Sequence, residues 1–193
     1  MSQSVFKFEA RHDYSPENFV VSACNRAAWE HVRSFPDNFY ALGFYGPAGC
    51  GKTYLANIAA QNGAEVIEDI NKSYDQRILL HKLNSIKETG GKVVLTSLSP
   101  LKEIGFTLPD LVSRLSAIPS VAIDEPDEEL FYILFARYFA ARQLKVSDDV
   151  ISYLASRVER SFAAAAGAVE KIDRLSLESK RNITVPLVKE CLI

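Results

Sequence analysis

The feature that most constrains this fold is a glycine-rich stretch between an apolar run and a helical pattern. Residues 39–45 form a continuous apolar run, which is typical of a buried strand. Residues 46–53 fit the pattern G-x-x-x-x-G-K-[ST] completely, and a helical pattern follows over residues 53–61. A strand, a glycine-rich loop and a helix in this order form a phosphate-binding P-loop. The sequence therefore predicts a site for a nucleoside triphosphate.

The chemistry of this loop assigns a role to each residue type. Glycines let backbone N–H groups converge on the phosphates, and the start of the following helix adds its positive dipole end. Lys52 supplies positive charge to the β and γ phosphates, and the Thr53 hydroxyl is a ligand for Mg²⁺. A glycine-rich turn without a ligand is the alternative. The candidate nucleotide-binding residues are Gly46, Pro47, Ala48, Gly49, Cys50, Gly51, Lys52, Thr53 and Tyr54.

The rest of the chain first alternates and then becomes helical. Further strands are predicted at residues 64–70, 92–97 and 120–124, with helices between them. This alternation is typical of an α/β fold, a parallel sheet covered by helices on both faces, here with four strands. After Asp127 the pattern is helical only. The sequence predicts an N-terminal arm over residues 1–18, an α/β nucleotide-binding domain over 19–126 and a small all-helical lid domain over 127–193.

Composition limits the class of protein. The 193 residues are 48% hydrophobic and carry a net charge of −2. No apolar run approaches the roughly 20 residues that a membrane span needs, and the first residues lack the regions of a signal peptide. Three widely spaced cysteines indicate reduced thiols and a cytoplasmic location. The slightly acidic balance argues against binding through nucleic-acid phosphates alone, so we expect no direct sequence-specific DNA binding.

Two strand ends could supply the acid that works beside Mg²⁺. Glu68 and Asp69 end the second strand, and Asp124 and Glu125 end the fourth. A sensing strand with a polar end should follow the acidic strand, and residues 92–97 follow Asp69 while only helices follow Glu125. We therefore predict Glu68 and Asp69 as catalytic residues, with Thr53 and Glu68 at the metal. The pair at 124–125 is interpreted as a strand end that turns into the helical domain.

Over nearly its whole length the chain resembles the AAA+ superfamily and, within it, the DnaA/Hda branch. The residues DYSPENFVV (13–21) and NRAA (25–28) resemble the segment that leads into the α/β domain of this branch. LPDLVSRL (108–115) resembles its box VII, and TVPLVKE (184–190) resembles the closing helix of the Hda type. DnaA continues from there into a helix-turn-helix domain, so a chain that stops there resembles the Hda side.

The resemblance implies further functional residues and partners. Arg114, in box VII, would be an arginine finger that acts in trans on a neighbour's nucleotide; a solvated charge at a helix end is the alternative. Gln3, Phe6 and Phe8 would form a clamp-binding peptide; a tail whose aromatic rings pack on the domain is the alternative. The implied partners are DnaA and the DNA polymerase III sliding clamp. The resemblance leaves a homo-oligomer open.

The chain also departs from the pattern of this branch. Residues 53–69 are too short for the extra strand and helix usual there, so one edge of the four-stranded sheet should be exposed or used for a contact. Ala163 stands where the resemblance implies a sensor-II arginine, with Arg160 one turn away as a substitute. The sensor-I position near Ser97 lacks a charged side chain. We therefore expect weak intrinsic ATP hydrolysis at most.

The resemblance therefore implies a regulator of chromosomal replication initiation that binds ADP or ATP. With the sliding clamp, it would promote hydrolysis of ATP bound to DnaA. A helicase-loader or transposase-helper ATPase acting on DNA is the first alternative, and it would show DNA-stimulated turnover. A small metabolite kinase is the second, but it needs a substrate-binding insertion for which residues 53–68 are too short.

Overall fold

The computed structural model of the protein describes residues 14–192, apart from the side chains of residues 36–38. In this range the chain forms one sheet whose pairings are all parallel, in the order β2-β3-β1-β4. This confirms the four-stranded parallel sheet that the alternating pattern predicts. The strands are β1 (Ala41–Tyr45), β2 (Glu65–Ile70), β3 (Val93–Ser97) and β4 (Ser120–Ala122).

The strand order determines where the glycine-rich loop leaves the sheet. Tyr45, the last residue of β1, pairs with Ser97 of β3 and with Ala122 of β4. The loop after β1 therefore begins where three carboxyl ends meet, the usual ligand-binding edge of an open parallel sheet. The edge strand β2 lies beyond β3, so its end is roughly 10 Å, or two strand spacings, from the end of β1.

Helices cover both faces of this sheet, because alternate strand residues point to opposite sides. In β1, Leu42 and Phe44 belong to one buried core, whereas Ala41 belongs to the other. The first core lies under the first two helices, and the second lies under the next two. These helices are α1 (Arg26–Asn38), α2 (Lys52–Gln61), α3 (Gln76–Glu88) and α4 (Pro109–Ser116).

The C-terminal helices have a core of their own. Phe131, Phe135 and Phe139 recur at helical spacing on the first of them and are buried against Leu154 and Ile172. Among residues 14–192, no helix is long and apolar enough to cross a bilayer. The helices are α5 (Glu128–Ala141), α6 (Asp148–Arg157), α7 (Phe162–Ser179) and α8 (Val185–Leu192).

Two strand ends differ from the sequence-based prediction for local reasons. β4 ends at Ala122 instead of residue 124, because the Asp124 N–H bonds to the Cys24 carbonyl at 3.1 Å and turns the chain out of the sheet. β1 begins at Ala41 instead of residue 39, because the Phe39 N–H still bonds back to the Phe35 carbonyl at the end of α1. The ends of strands depend on hydrogen bonds to nearby groups, and the periodicity of the sequence does not reveal these bonds.

Residues 14–25 pack against α1 and α2. The Tyr54 hydroxyl donates to the Ser15 carbonyl at 2.8 Å, and the Gln61 amide donates to the Tyr14 carbonyl at 3.2 Å. The Phe19 ring stacks on Trp29 with the ring centres 5.3 Å apart. The predicted clamp-binding residues Gln3, Phe6 and Phe8 lie outside the described residues.

Candidate functional site: the loop and the cleft beneath the lid

The backbone of the glycine-rich loop requires glycine at specific positions. Gly49 and Gly51 have φ angles of +82° and +96°, in the left-handed region that side chains disfavour. At Gly46 the constraint is contact: a Cβ atom there would lie 2.2 Å from the Ile123 carbonyl oxygen. Gly51 is followed by the first turn of α2, so the free N–H groups of that helix point toward the loop.

Lys52 is held inside the loop by backbone oxygens. Its ammonium donates to the carbonyls of Gly46 at 2.9 Å and Pro47 at 2.8 Å, and the residue is buried. These two acceptors orient the side chain along the loop instead of toward solvent. A cation in this position can also face an anion bound by the loop N–H groups.

Cys50 lies beside this cation, with 3.7 Å between its sulfur and the Lys52 nitrogen. Burial raises the pKa of the Cys50 thiol, and the opposing effect of Lys52 is smaller. The thiol therefore stays neutral near pH 7. A thiolate here would compete with phosphate for Lys52, and burial removes that competitor.

A cavity of about 120 Å³ opens between the loop and the helical domain. Gly49, Cys50 and Gly51 line it from the loop, and Tyr54 lines it from α2. The opposite wall consists of Leu130, Leu134 and Arg137 on α5 together with Phe162 at the start of α7. Phe19, Val20 and Asn25 close it from the N-terminal segment. An apolar cleft that ends on a phosphate-type loop fits a nucleoside with its phosphates at the glycines.

The acidic pair predicted from the sequence lies in an irregular part of β2. The pairing of β2 with β3 shifts between Ile67 and Ile70, which leaves Glu68 and Asp69 consecutive and exposed. Asp69 adopts a positive φ of 51°, and its N–H donates to the Thr96 hydroxyl at 2.9 Å. Neither carboxylate forms an ion pair or hydrogen bond with any residue in 14–192. Both are therefore accessible oxygen donors at the carboxyl edge of the sheet.

The alternative acidic pair, Asp124 and Glu125, lies where the α/β domain leads into the helical domain. A Glu125 carboxylate oxygen accepts the N–H of Phe162 at 3.4 Å, so it approaches the N-terminus of α7. Asp124 is exposed, and its N–H is bonded to Cys24. The Glu125 contact joins the α/β domain to the helical domain, which agrees with the interpretation of this pair as a strand end turning into the helices.

Arg114 lies on α4, on the face of the sheet opposite α2, and is half-buried. It lines a polar cleft of about 370 Å³ with Tyr40, Asn84 and Lys87. The Asn84 amide oxygen is buried there without a hydrogen-bond partner, and the Lys87 ammonium lies 5.5 Å from the centre of the Tyr40 ring. The Arg114 guanidinium forms no hydrogen bond or ion pair with any residue in 14–192. The guanidinium is thus available to a partner but faces away from the chain's own loop.

The structure shows where the two lid residues considered for the sensor-II position, Ala163 and Arg160, lie. Ala163 is exposed beside Phe162, and its methyl group cannot contact a phosphate electrostatically. Arg160 lines a separate cavity with Glu128 and Tyr132 between α5 and α6, so it does not share the cleft above the loop. The cation in that cleft is Arg137, which the sequence reasoning missed. The available signal is its spacing of three residues from Leu134 on one face of a helix.

Comparison with known proteins agrees with this architecture. Residues 127–192 match the family described as "Hda, lid domain". The chromosomal replication initiator protein DnaA of Lacticaseibacillus casei (strain BL23) is 28% identical over 131 residues, which is 66% of this chain. The chain spans 29% of the length of that relative.

Solved structures show the same fold. Domain III of the replication initiation protein DnaA from Thermotoga maritima superimposes with a TM-score of 0.80 at 20% identity, and the match covers 94% of this chain and 96% of that one. AMPPCP-bound DnaA from Aquifex aeolicus gives a TM-score of 0.64 at 20% identity, covering 86% and 68%. The sheet order, the lid match and the sequence relatives together make this chain similar to the DnaA/Hda branch of the AAA+ superfamily.

Proposed function

We propose that this chain is an Hda-like regulator of replication initiation that binds ADP or ATP and promotes hydrolysis of ATP bound to DnaA, together with the sliding clamp. The observation that carries this proposal is Arg114. It is an unpaired, half-buried arginine in a polar cleft, on the face of the sheet opposite the chain's own loop helix. A cation that cannot reach its own nucleotide is suited to act on a neighbour's.

Nucleotide binding at residues 46–53 is supported by the loop itself. Gly49 and Gly51 keep the backbone open to the phosphates, and Lys52 already lies along the loop within reach of a bound anion. The related DnaA from Aquifex aeolicus is bound to AMPPCP. The cleft lined by Tyr54 and Leu134 offers an apolar wall for the base.

Magnesium would be held by oxygen ligands around Thr53. Its hydroxyl is exposed and makes no hydrogen bond within residues 14–192, and Glu68 is an unpaired carboxylate. Hydroxyl, carboxylate and water oxygens are the ligands that Mg²⁺ prefers. Because β3 separates the ends of β1 and β2, Glu68 would contribute through water, and Asp69 would help to orient that water. This donor set supports weak intrinsic hydrolysis.

The action on DnaA would resemble that of other arginine fingers. A guanidinium inserted beside a neighbour's γ-phosphate neutralises charge that develops during phosphoryl transfer. Lys87 and Asn84 lie in the same cleft, so they would contact the partner around the nucleotide. Clamp binding would depend on Gln3, Phe6 and Phe8, and this part of the proposal rests on the sequence alone.

A reconstitution with DnaA, clamp loaded on DNA and radiolabelled ATP tests the proposal. Arg114→Ala should slow hydrolysis of DnaA-bound ATP by roughly 10³-fold, the usual effect of removing such a cation, with unchanged melting temperature and ADP affinity. The double variant Phe6→Ala with Phe8→Ala should lose clamp binding and stimulation together. Arg33→Ala, an exposed arginine on α1, is the matched control and should stimulate as the wild type does.

Two outcomes would contradict the proposal. Equal stimulation by the wild type and the Arg114 variant would exclude the finger, and absence of stimulation by the wild type would exclude the regulatory function. Turnover that requires DNA but not DnaA would instead favour a helicase-loader-like ATPase.

A further inference from the structure

We propose that Arg137 is the residue through which the helical lid contacts the phosphates of the bound nucleotide. This inference rests on the proposed nucleotide binding at residues 46–53 and assigns a role to a residue that the motif does not contain. The observation behind it is the cleft between the loop and α5, which Arg137 lines together with Gly49, Cys50 and Gly51.

Helix geometry brings Arg137 to this cleft. Leu130, Leu134 and Arg137 are separated by four and three residues, so they share one face of α5. Leu130 is buried and Leu134 is partly buried against the core that also contains Phe44 and Leu55. This face of α5 is therefore fixed against the α/β domain, and Arg137 lies one turn further along it.

Charge makes Arg137 distinctive among the residues around this cleft. Among the described residues that line the cleft, it is the only side chain that is charged at neutral pH, since the others are apolar, glycine, or neutral polar groups. Its guanidinium forms no hydrogen bond or ion pair within residues 14–192. Three other lid arginines are paired: Arg142 with Asp173, Arg174 with Glu170 and Arg181 with Glu190. The Arg137 guanidinium is thus an unpaired cation in the same cleft as Gly49, Cys50 and Gly51.

Among residues 127–192, no second cation lines this cleft. Ala163 has no polar group, and Arg160 lines the cavity between α5 and α6 with Glu128. Because the planar guanidinium has several donors, Arg137 can bind two phosphate oxygens at once. A nucleotide would then be held by Lys52 from the α/β domain and by Arg137 from the lid, and its binding would join the two.

Titration of ADP into purified full-length protein tests this assignment. Arg137→Ala should weaken ADP binding by roughly 10- to 100-fold, the range for loss of a charge-assisted hydrogen bond. Arg137→Lys should recover part of that loss. Arg160→Ala is the matched control and should bind ADP as the wild type does. Because Arg137 is exposed, all variants should retain the wild-type melting temperature.

Adenosine distinguishes a phosphate contact from a base contact. Ligand-detected NMR should show the same adenosine binding, or the same absence of it, in the wild type and in Arg137→Ala. An equal loss for adenosine and ADP would overturn the phosphate assignment, and unchanged ADP affinity in Arg137→Ala would overturn the inference. In the second case, Lys52-dependent binding in the wild type would leave the proposed nucleotide site intact. Absence of ADP binding in the wild type would instead contradict the proposed function itself.

Discussion

Asp127 connects two parts of the molecule, α5 and the N-terminal segment, through one carboxylate. One of its oxygens accepts the N–H of Leu130 at 2.9 Å and caps α5, and the other accepts the N–H of Ala23 at 3.0 Å. The Leu130 hydrogen bond is the largest of the effects that hold the pKa of Asp127 below its ordinary value of 3.8. The carboxylate form is therefore favoured by the folded state, since only that form accepts both bonds fully.

Replacement of the Asp127 side chain should lower the free energy of unfolding by an amount that depends on pH. Asp127→Ala should lower the free energy of unfolding by about 1 kcal/mol at neutral pH, as expected for loss of an N-cap. A depressed pKa contributes stability above the ordinary pKa and loses it as the pH falls through the lower folded value. In urea denaturation, the difference from the wild type should therefore shrink below about pH 4. Asp127→Asn, which keeps an acceptor but does not titrate, should show a smaller loss at neutral pH that also shrinks below about pH 4; a constant loss for Asp127→Ala would contradict this account.

At the scale of elements, α7 shows how local sequence and packing interact. Its first residues, Phe162 to Ala166, are small except for Phe162, which is buried against the loop. Gly167 lies inside this helix, and a Cβ atom there would meet nothing within 4 Å. Glycine in a helix interior costs backbone entropy without any gain in packing here.

Gly167→Ala should therefore stabilise the protein. The expected gain is about 0.5–1 kcal/mol in the free energy of unfolding, the difference in helix propensity between the two residues. Thermal melting followed by circular dichroism measures it. Ala166→Gly, at the neighbouring position of the same helix, should lose a similar amount. A destabilised Gly167→Ala variant would mean that the backbone at this position needs glycine.

The elements also show what the sequence could predict. Strands β1 and β3 follow from contiguous apolar runs, and the loop residues follow from a contiguous motif, so both could be identified without tertiary contacts. The irregular pairing at Glu68 and Asp69 could not, because it depends on the register with β3. Arg137 was missed for the same kind of reason: its role depends on which face of α5 packs on the α/β domain.

For the whole molecule, the loop and the lid form one cleft. Phe162 at the start of α7 lies close enough to the loop that a Cβ atom at Gly49 would be 3.3 Å from its side chain. Glu125 and Asp127 add polar contacts between the domains. A ligand bound at the loop would therefore contact both domains, and the opposite face of the sheet would remain available for Arg114 to meet a partner.

Binding of ADP to the wild type and to Lys52→Ala is the most direct test of the central claim, that residues 46–53 form a nucleotide site. Isothermal titration calorimetry should show saturable binding to the wild type and none to Lys52→Ala, because the phosphates lose the one lysine of the loop. Lys72→Ala, an exposed lysine beyond β2, removes the same charge and should bind as the wild type does. Unchanged ADP affinity in a folded Lys52→Ala protein, or no binding by the wild type, would contradict the account.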